Sequence, residues 1–287
     1  MARLLGDRVS IERFAEKLRD LWNAEQGLPP GDIFVVGVKV AAGTKERGAV
    51  RFLDLTLPSP EENLALDEAL LLEAEADRGG EVMRLWEWPK PAVILGAGCR
   101  LADEVDEAAC VAAGVPILRR SSGGGTVLLG PGCLLYSLVL NFERSPELEA
   151  VRSSYGYVLG RVAEALADVA SEIAWAGISD LASAGRKFSG NAQQRKRRFL
   201  LHHGTLLYNF SLGHLARFLR PPPRQPDYRA GREHEAFLMN LPISAGELKA
   251  RLQRGWNANS LLEWWPTETV SRLVSEKYTL SSWTWRR

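Results

Sequence analysis

Two stretches hold residues whose types and spacing can do chemistry on a phosphate or a carboxylate. The first runs from Ile117 to Ser137 and reads ILRRSSGGGTVLLGPGCLLYS. Three consecutive glycines destabilise a helix or a strand, because glycine loses the most backbone freedom on folding. That same freedom lets the backbone pass close to a ligand and offer its N–H groups, as in anion-binding nests. The short apolar runs on either side place the triplet at a turn or bulge between strands. On these residues alone a plain hairpin connection and an anion site stand level. Arg120, and Arg84 upstream, each present a planar fork of donors suited to a carboxylate or phosphate. The second stretch, Gly185 to Asn209, reads GRKFSGNAQQRKRRFLLHHGTLLYN and sets Lys187 between glycines in a strand-like context. Acidic residues are missing from Leu181 to Phe210, whereas Arg186, Lys187 and the run Arg195 to Arg198 are cationic. Such a run usually marks a solvated face or loop. His202 and His203 are too few for a metal site, and one or both read as structural.

The elements that must position these residues follow from pattern. Residues 10–22 place Ile11, Phe14, Leu18 and Leu21 on one helical face, Gly27 to Gly31 stops that helix, and Ile33 to Val40 reads as a strand. A strand follows at Arg51 to Leu57. Ser59-Pro60-Glu61-Glu62 is a capping box with proline at the first helical position, and it starts a helix that stays apolar to Leu72. Asp67 and Glu68 in that helix read as a solvated face. Arg84–Trp88 and Ala92–Gly96 read as a strand pair, with Trp86 and Trp88 in the core, followed by a helix near Glu104 to Ala113. Leu134 to Asn141 is a strand, Leu148 to Val169 a long amphipathic helix, and Ser244 with Glu247 a second capping box. Pro221 to Pro226 is a stiff extended loop. Short strands broken by helices indicate an α+β domain with a mixed β-sheet and packed helices.

Composition narrows the function class. A chain of 287 residues with 46% hydrophobic and 25% charged content can bury a substantial core, as a globular enzyme does. A net charge of +1 gives no global field toward nucleic acid or membrane. Cys99, Cys110 and Cys133 are an odd, widely spaced set without a CxxC pair, which argues against a disulfide framework or zinc site and for a cytoplasmic setting. No window reaches the apolar length of a membrane span, and the N-terminus has no apolar signal core.

Together the two stretches resemble the biotin/lipoate A/B protein ligase family, specifically its lipoate–protein ligase A-like branch. The resemblance is carried by Arg-Arg-x-Ser-Gly-Gly-Gly at Arg119 to Gly125, Lys-x-Ser-Gly-x-Ala at Lys187 to Ala192, and His-His-Gly-Thr-Leu-Leu at His202 to Leu207. An Asn-x-Ala-x-Asp-Glu-Ala pattern at Asn63 to Ala69 adds to it. It extends from about Asn63 to the end of the chain and fades over the first fifty residues. Residues 1–48 are therefore expected to be an N-terminal extension of helix plus strand. Residues 49–287 are expected to be the catalytic domain, with 244–287 a short helical C-terminal segment.

The resemblance implies the biotin/lipoate ligase fold, related to class II synthetases, and a two-step reaction. Lipoate, or a related medium-chain acid, and ATP would give an acyl-adenylate and pyrophosphate; a carrier-protein lysine would then take the acyl group. Lys187 would be catalytic, lying over the acyl carboxylate and the α-phosphate. Arg120, Ser122, Gly123, Gly124, Gly125 and Thr126 would bind substrate and nucleotide from the first stretch. Gly190, Asn191, His203, Gly204 and Thr205 would do so from the second. The branch usually carries Gly-x-Asn-Asp-Leu before the lysine; here Ser179 replaces the Asn, leaving Asp180 as the matching ligand for Mg2+. The implied partners are lipoyl carrier domains of the 2-oxoacid dehydrogenase E2 or glycine-cleavage H protein type. Larger members continue past a Trp-x-Trp signal, here ending at Trp285, into an accessory domain. A separate accessory subunit, or residues 1–48, is the expected cap, with the basic run Arg195 to Arg198 offered as a docking surface.

Sister branches instead transfer octanoate from acyl carrier protein through a cysteine thioester. Their nucleophile lies just upstream of the lysine segment or downstream in a Pro-Cys-Gly turn. Residues 165–186 contain no cysteine and none follows Cys133, which reads as a buried packing residue. A non-catalytic lipoyl-binding protein of the same fold would have no need of Lys187, Asp180 and the glycine triplet. The Gly-Arg-Gly-Arg-x-Gly-Arg loop of biotin ligases is absent.

Overall fold

Residues 49–286 are described by a computed structural model. The N-terminal helix and strand expected before residue 48 lie outside the described residues. The first strand among the described residues is Arg51–Asp54 (β1), shorter than the apolar run that predicts it, although the Leu55 N–H still donates to the Leu85 carbonyl. Ser59 caps helix Pro60–Glu75 (α1): its hydroxyl accepts from the Glu62 N–H, while the Glu62 carboxylate accepts from the Ser59 N–H. Both halves of the predicted capping box are present, satisfying two N–H groups that the helix cannot.

Strands Val82–Glu87 (β2), Cys133–Asn141 (β6), Arg186–Arg195 (β9) and Phe199–Leu207 (β10) are the long members of one eight-stranded mixed sheet. Ala174–Ala176 (β7), Asp180–Ser183 (β8) and Ser260–Leu261 (β11) complete it. Its order is β11-β1-β2-β6-β10-β9-β8-β7. β1 is parallel to both β2 and β11, and the remaining neighbours are antiparallel. The C-terminal segment after residue 244 is thus mainly helical but also supplies an edge strand.

Ala92–Leu95 (β3), Ile117–Arg119 (β4) and Val127–Leu129 (β5) form a separate three-stranded sheet in the order β4-β3-β5. β2 and β3 are therefore not the strand pair that proximity in sequence predicts. Both long edges of β2 are taken by β1 and β6, and Pro89 and Pro91 carry the chain out of the sheet, since proline has no N–H for a ladder. The helix expected near 104–113 breaks at Val105 into Leu101–Glu104 and Glu107–Ala113 (α2), because Asp106 turns to cap the second piece. The expected long helix is shortened to Val151–Ala165 (α3), with a 3-10 turn at Pro146–Leu148 before it. At Ser244 only half of a capping box forms on helix Ala245–Gly255 (α4). Ser244 accepts from the Glu247 N–H, but the Glu247 carboxylate pairs with Arg251.

Helices cover both faces of the large sheet. α3 and α4 pack on the face carrying Met83, Leu85, Tyr136, Leu138 and Leu200. α1 and the three-stranded sheet cover the other, with Trp86, Leu135, Val139 and Leu201. Helix Thr267–Leu273 (α5) and the turn Val274–Tyr278 then close over α1 from behind. Because α1 is covered on both sides, its residues from Asn63 to Leu71 are all buried. That overturns the expectation of a solvated face: Asp67 is 3% and Glu68 6% exposed. Glu68 meets the Lys277 ammonium at 2.7 Å and accepts from the Tyr278 hydroxyl at 2.7 Å, tying α1 to the C-terminal segment. Two arginines of the expected basic surface are also occupied. Arg195 donates to the carbonyls of Leu148 and Glu149, and Arg198 pairs with Asp77.

Candidate active site

The pleat of the large sheet sets functional side chains in two rows on the face beneath α1. The ladder registers Arg84 with Ser137, Ser137 with His203 and His203 with Ala192. Two residues along, it registers Trp86 with Leu135, Leu135 with Thr205, Thr205 with Gly190 and Gly190 with Asp180. A cavity of about 140 Å³ lies over these rows. Its apolar wall includes Leu64, Trp86, Ile94, Val127, Leu129 and Leu135, and its polar end gathers Arg120, Asp180, Lys187, Asn191 and His203. An apolar chamber with a few convergent polar groups is the usual form of a small-molecule site.

Lys187 stands at the polar end, 2.7 Å from Asp180 Oδ1. Its ammonium lies over Gly190, where a Cβ would come within 2.9 Å of Nζ. Glycine at 190 is what lets the lysine cross the strand. Asp180 is 6% exposed, and its second oxygen accepts from the Tyr228 hydroxyl at 2.8 Å. A similar crossing occurs on the next strand. The Asn191 side chain passes over Gly204, where a Cβ would sit 1.8 Å from Oδ1. There Asn191 Oδ1 accepts from the Tyr136 hydroxyl at 2.5 Å, and Nδ2 donates to the Ser179 carbonyl at 2.8 Å.

The glycine loop is held from inside. Arg120 is 7% exposed; Nη2 donates to the carbonyls of Gly123 and Gly125 at 2.5 and 2.8 Å, and Nε donates to Ser122 Oγ at 3.0 Å. Burial pulls the Arg120 guanidinium down to about 10 from its ordinary value. The Gly124 carbonyl accepts from Cys99 Sγ at 3.2 Å. In a planar trans peptide the N–H points opposite to the carbonyl. With the Gly123 and Gly124 carbonyls turned into the protein, the N–H groups of Gly124 and Gly125 point outward. Neither makes a hydrogen bond among the described residues. Arg119 anchors the back of the loop, donating to the carbonyls of Gly96, Cys99 and Thr284.

A buried network links this loop to α1. Ser122 Oγ lies 2.5 Å from His203 Nε2, and His203 Nδ1 lies 3.5 Å from Asp67 Oδ2. Asp67 accepts from Arg84 Nη1 at 2.6 Å and from Ser137 Oγ at 2.7 Å. Burial pushes the Asp67 carboxyl up, but Arg84, His203 and Ser137 outweigh it and hold the group below the usual carboxylate range. Arg84 itself is fully buried, and its other donors go to Asn63 and the Leu55 carbonyl. It is therefore a structural tie between β2 and α1, not a contact for substrate, because no donor of its fork is left over. His202, on the opposite face, is neutral: burial lowers it to about 3, and it lies within hydrogen-bond reach of Tyr136 and Gln193.

Of the residues that the sequence singles out, Arg120, Gly124, Gly125, Thr126, Asp180, Lys187, Gly190, Asn191, His203, Gly204 and Thr205 line the one cavity. Ser122 and Gly123 do not. Ser122 is buried behind the loop, and Gly123 is exposed with its carbonyl held by Arg120. Tyr136 and Tyr228 escaped sequence reasoning, since nothing local distinguishes a tyrosine that orients a neighbour from one that packs. Trp86 belongs both to the core and to the cavity wall. All three cysteines are buried and none lines the cavity; burial pushes the Cys133 thiol up to about 12. No group of three His, Cys, Asp or Glu residues able to hold a metal occurs among the described residues.

The model of the lipoyl protein ligase A/B catalytic domain matches residues 59–247, a span that holds every polar residue of this cavity. The chain belongs to that family. Octanoyltransferase LipM of Carboxydothermus hydrogenoformans is 31% identical over 268 residues, covering 82% of this chain and 98% of the relative. Among solved structures, the bipartite lipoate protein ligase of Thermoplasma acidophilum superposes with a TM-score of 0.70 at 20% identity. That superposition covers 83% of this chain and 97% of that one. A lipoate-protein ligase A bound with ATP gives 0.68 at 21% identity, covering 83% and 99%. The mixed sheet with its packed helices is thus the lipoate ligase fold. No described helix is long and apolar enough to cross a membrane.

Proposed function

We propose that this family member, with its catalytic domain starting at residue 49, activates a medium-chain acid such as lipoate or octanoate with ATP. It then passes the acyl group to a lysine of a lipoyl carrier domain. One observation carries the reading. Lys187 and Asp180 meet at the polar end of an apolar cavity beside the outward N–H groups of the glycine loop, and no cysteine lines that cavity, Cys99 Sγ being turned to the Gly124 carbonyl from behind the loop. In the first step a carboxylate oxygen attacks the α-phosphorus and pyrophosphate leaves. In the second the carrier amine attacks the acyl carbonyl, AMP leaves and the amine loses a proton. Lys187 neutralises charge on the acyl carboxylate and the α-phosphate, while Gly124 and Gly125 offer fixed donors to the same oxygens. The apolar wall takes the acyl chain and excludes water from the mixed anhydride.

Asp180 is a single carboxylate whose oxygens are shared with Lys187 and Tyr228. One carboxylate fits a magnesium ion that is carried largely by nucleotide phosphates and water. Bound there, the ion would neutralise phosphate charge, with Asp180 its protein ligand. The bipartite architecture named for the Thermoplasma ligase, described together with its E2 lipoyl domain, supports an E2-type carrier and an accessory subunit as partners.

The second reading, octanoyl transfer from an acyl carrier protein, is favoured by the LipM relative. It lacks a thiol in the cavity to hold the thioester. Pyrophosphate release with ATP, octanoate or lipoate and a lipoyl domain tests the first reading against transfer from octanoyl-acyl carrier protein without ATP. ATP-independent transfer with no acid-dependent pyrophosphate release refutes the ligase reading. Persistence of that transfer in Cys133→Ala would further show that it needs no thioester at this cysteine.

A further inference from the structure

A surface groove of about 430 Å³ lies apart from the cavity at Lys187 and shares no lining residue with it. Its apolar lining includes Trp88, Phe218 and the rings of Pro60, Pro91 and Pro116. Each proline fixes its own φ, so these walls are held open by stiff backbone. Lys90, His214 and Arg217 stand around the apolar surface, all three exposed, and Glu61 is the single carboxylate among the described lining residues. None of these four side chains makes a hydrogen bond or ion pair among the described residues. Arg217 rests instead on an aromatic wall, its guanidinium carbon 5.1 Å from the Phe218 ring centre. The Trp88 indole N–H is buried without a hydrogen-bond partner among the described residues, a costly state for a donor. Leu64, Trp86 and Ile94 line the cavity at Lys187, whereas Glu61, Trp88 and Pro91, two or three positions away on the same segments, line the groove. The groove therefore lies past the apolar end of that cavity, on the side away from Lys187 and Asp180.

We infer that this groove is a second binding site, for a small amphipathic carboxylate whose apolar body rests on Trp88 and Phe218 and whose anionic end is held by Lys90 and Arg217. An apolar concavity with a few polar groups at its rim is the usual form of a small-molecule site. An ammonium and a planar guanidinium fork, both without a protein partner, suit a carboxylate, and aromatic and proline faces suit a flat apolar body. A free molecule fits better than the carrier domain, whose lysine has to reach Lys187 at the other end of the cavity. The inference holds whether the acyl group comes from an ATP-activated acid or from an acyl carrier, because no residue of the groove takes part in either reaction.

The test is equilibrium binding of three probes to the full chain: 3-phenylpropionate, its neutral amide, and acetate. Binding is followed by calorimetry and by the indole N–H signal of Trp88, one of nine tryptophans in the chain, identified as the signal missing from Trp88→Phe. In wild type, 3-phenylpropionate should move that signal saturably with a Kd of about 1–5 mM, the range for a ligand of its size. The amide, which lacks the charge, and acetate, which lacks the apolar body, should each bind about 10-fold more weakly or worse. Lys90→Ala and Arg217→Gln should each weaken the acid by about 3- to 10-fold, and the double variant by more. Both positions are exposed, so these variants should fold as wild type does and keep its rate of acyl transfer to a lipoyl domain without the probe. Lys187→Ala should bind 3-phenylpropionate as wild type does. No saturable movement of the Trp88 signal in wild type overturns the inference, as does equal affinity for acid and amide, for acid and acetate, or for wild type and the double variant. An equal loss in Lys187→Ala also overturns it, since the probe would then occupy the cavity already described.

Discussion

Replacing Asp67 by Asn tests whether the buried network behind the cavity is held by charge. The substitution keeps the shape but removes the only carboxylate paired with Arg84 among the described residues, and the Arg84 side chain is wholly buried. Losing one partner of a buried ion pair typically costs about 3–5 kcal/mol, because the remaining charge is stranded. Arg84 keeps neutral acceptors in Asn63 and the Leu55 carbonyl, which places the expected loss at the lower end, about 3 kcal/mol. At about 2–4 °C per kcal/mol for a domain of this size, the midpoint of thermal unfolding should fall by about 6–12 °C. Urea unfolding should show a lower midpoint with an unchanged slope. The pH profile gives an independent reading. A carboxyl held below its ordinary value contributes stability that is complete above about 3.8 and disappears as pH falls through its folded value. The acid limb of the stability curve should therefore flatten in Asp67→Asn. A loss below about 1 kcal/mol, with an unaltered acid limb, would refute the electrostatic account of the network.

Lys187→Ala should fold like wild type, since its side chain is partly exposed, and should lose about 10²–10³ in acid-dependent pyrophosphate release, the effect of removing one preorganised charge-stabilising donor; near-normal release from the folded variant counts against the site. Gly204→Ala drives a methyl into Asn191 Oδ1, so the amide must leave Tyr136 and Ser179. Overpacking of this kind costs about 1–3 kcal/mol, and activity should drop with it; an unchanged melting temperature and rate would show that the crossing is dispensable. His202 is neutral in the folded protein and takes up a proton on unfolding below its ordinary value of 6.5. Stability should therefore decline from that pH toward 3 at up to about 1.4 kcal/mol per unit, and His202→Gln should remove that part of the decline, as measured by urea unfolding at several pH values.

Much of the fold and site was legible because its determinants are local in sequence. The Ser59–Glu62 capping box, the apolar runs of β6 and β10, and the three glycine-bearing motifs are each read within a few residues. They also contain most of the polar residues that line the cavity. What sequence reasoning missed depends on contacts between distant segments. Asp67 changed from a solvated helix residue to a buried hub because β2 and β6 bring Arg84 and Ser137 beneath α1, and α5 covers the helix from behind. Arg84 changed from a substrate contact to a structural tie for the same reason. Tyr228 joined Asp180 across 48 positions of sequence, and Arg229 became a buried cation against the Phe237 ring. A residue's type and neighbours establish which bonds it can make. Burial and the partners supplied by distant segments decide which bonds it does make, and that choice exists only once the chain has packed.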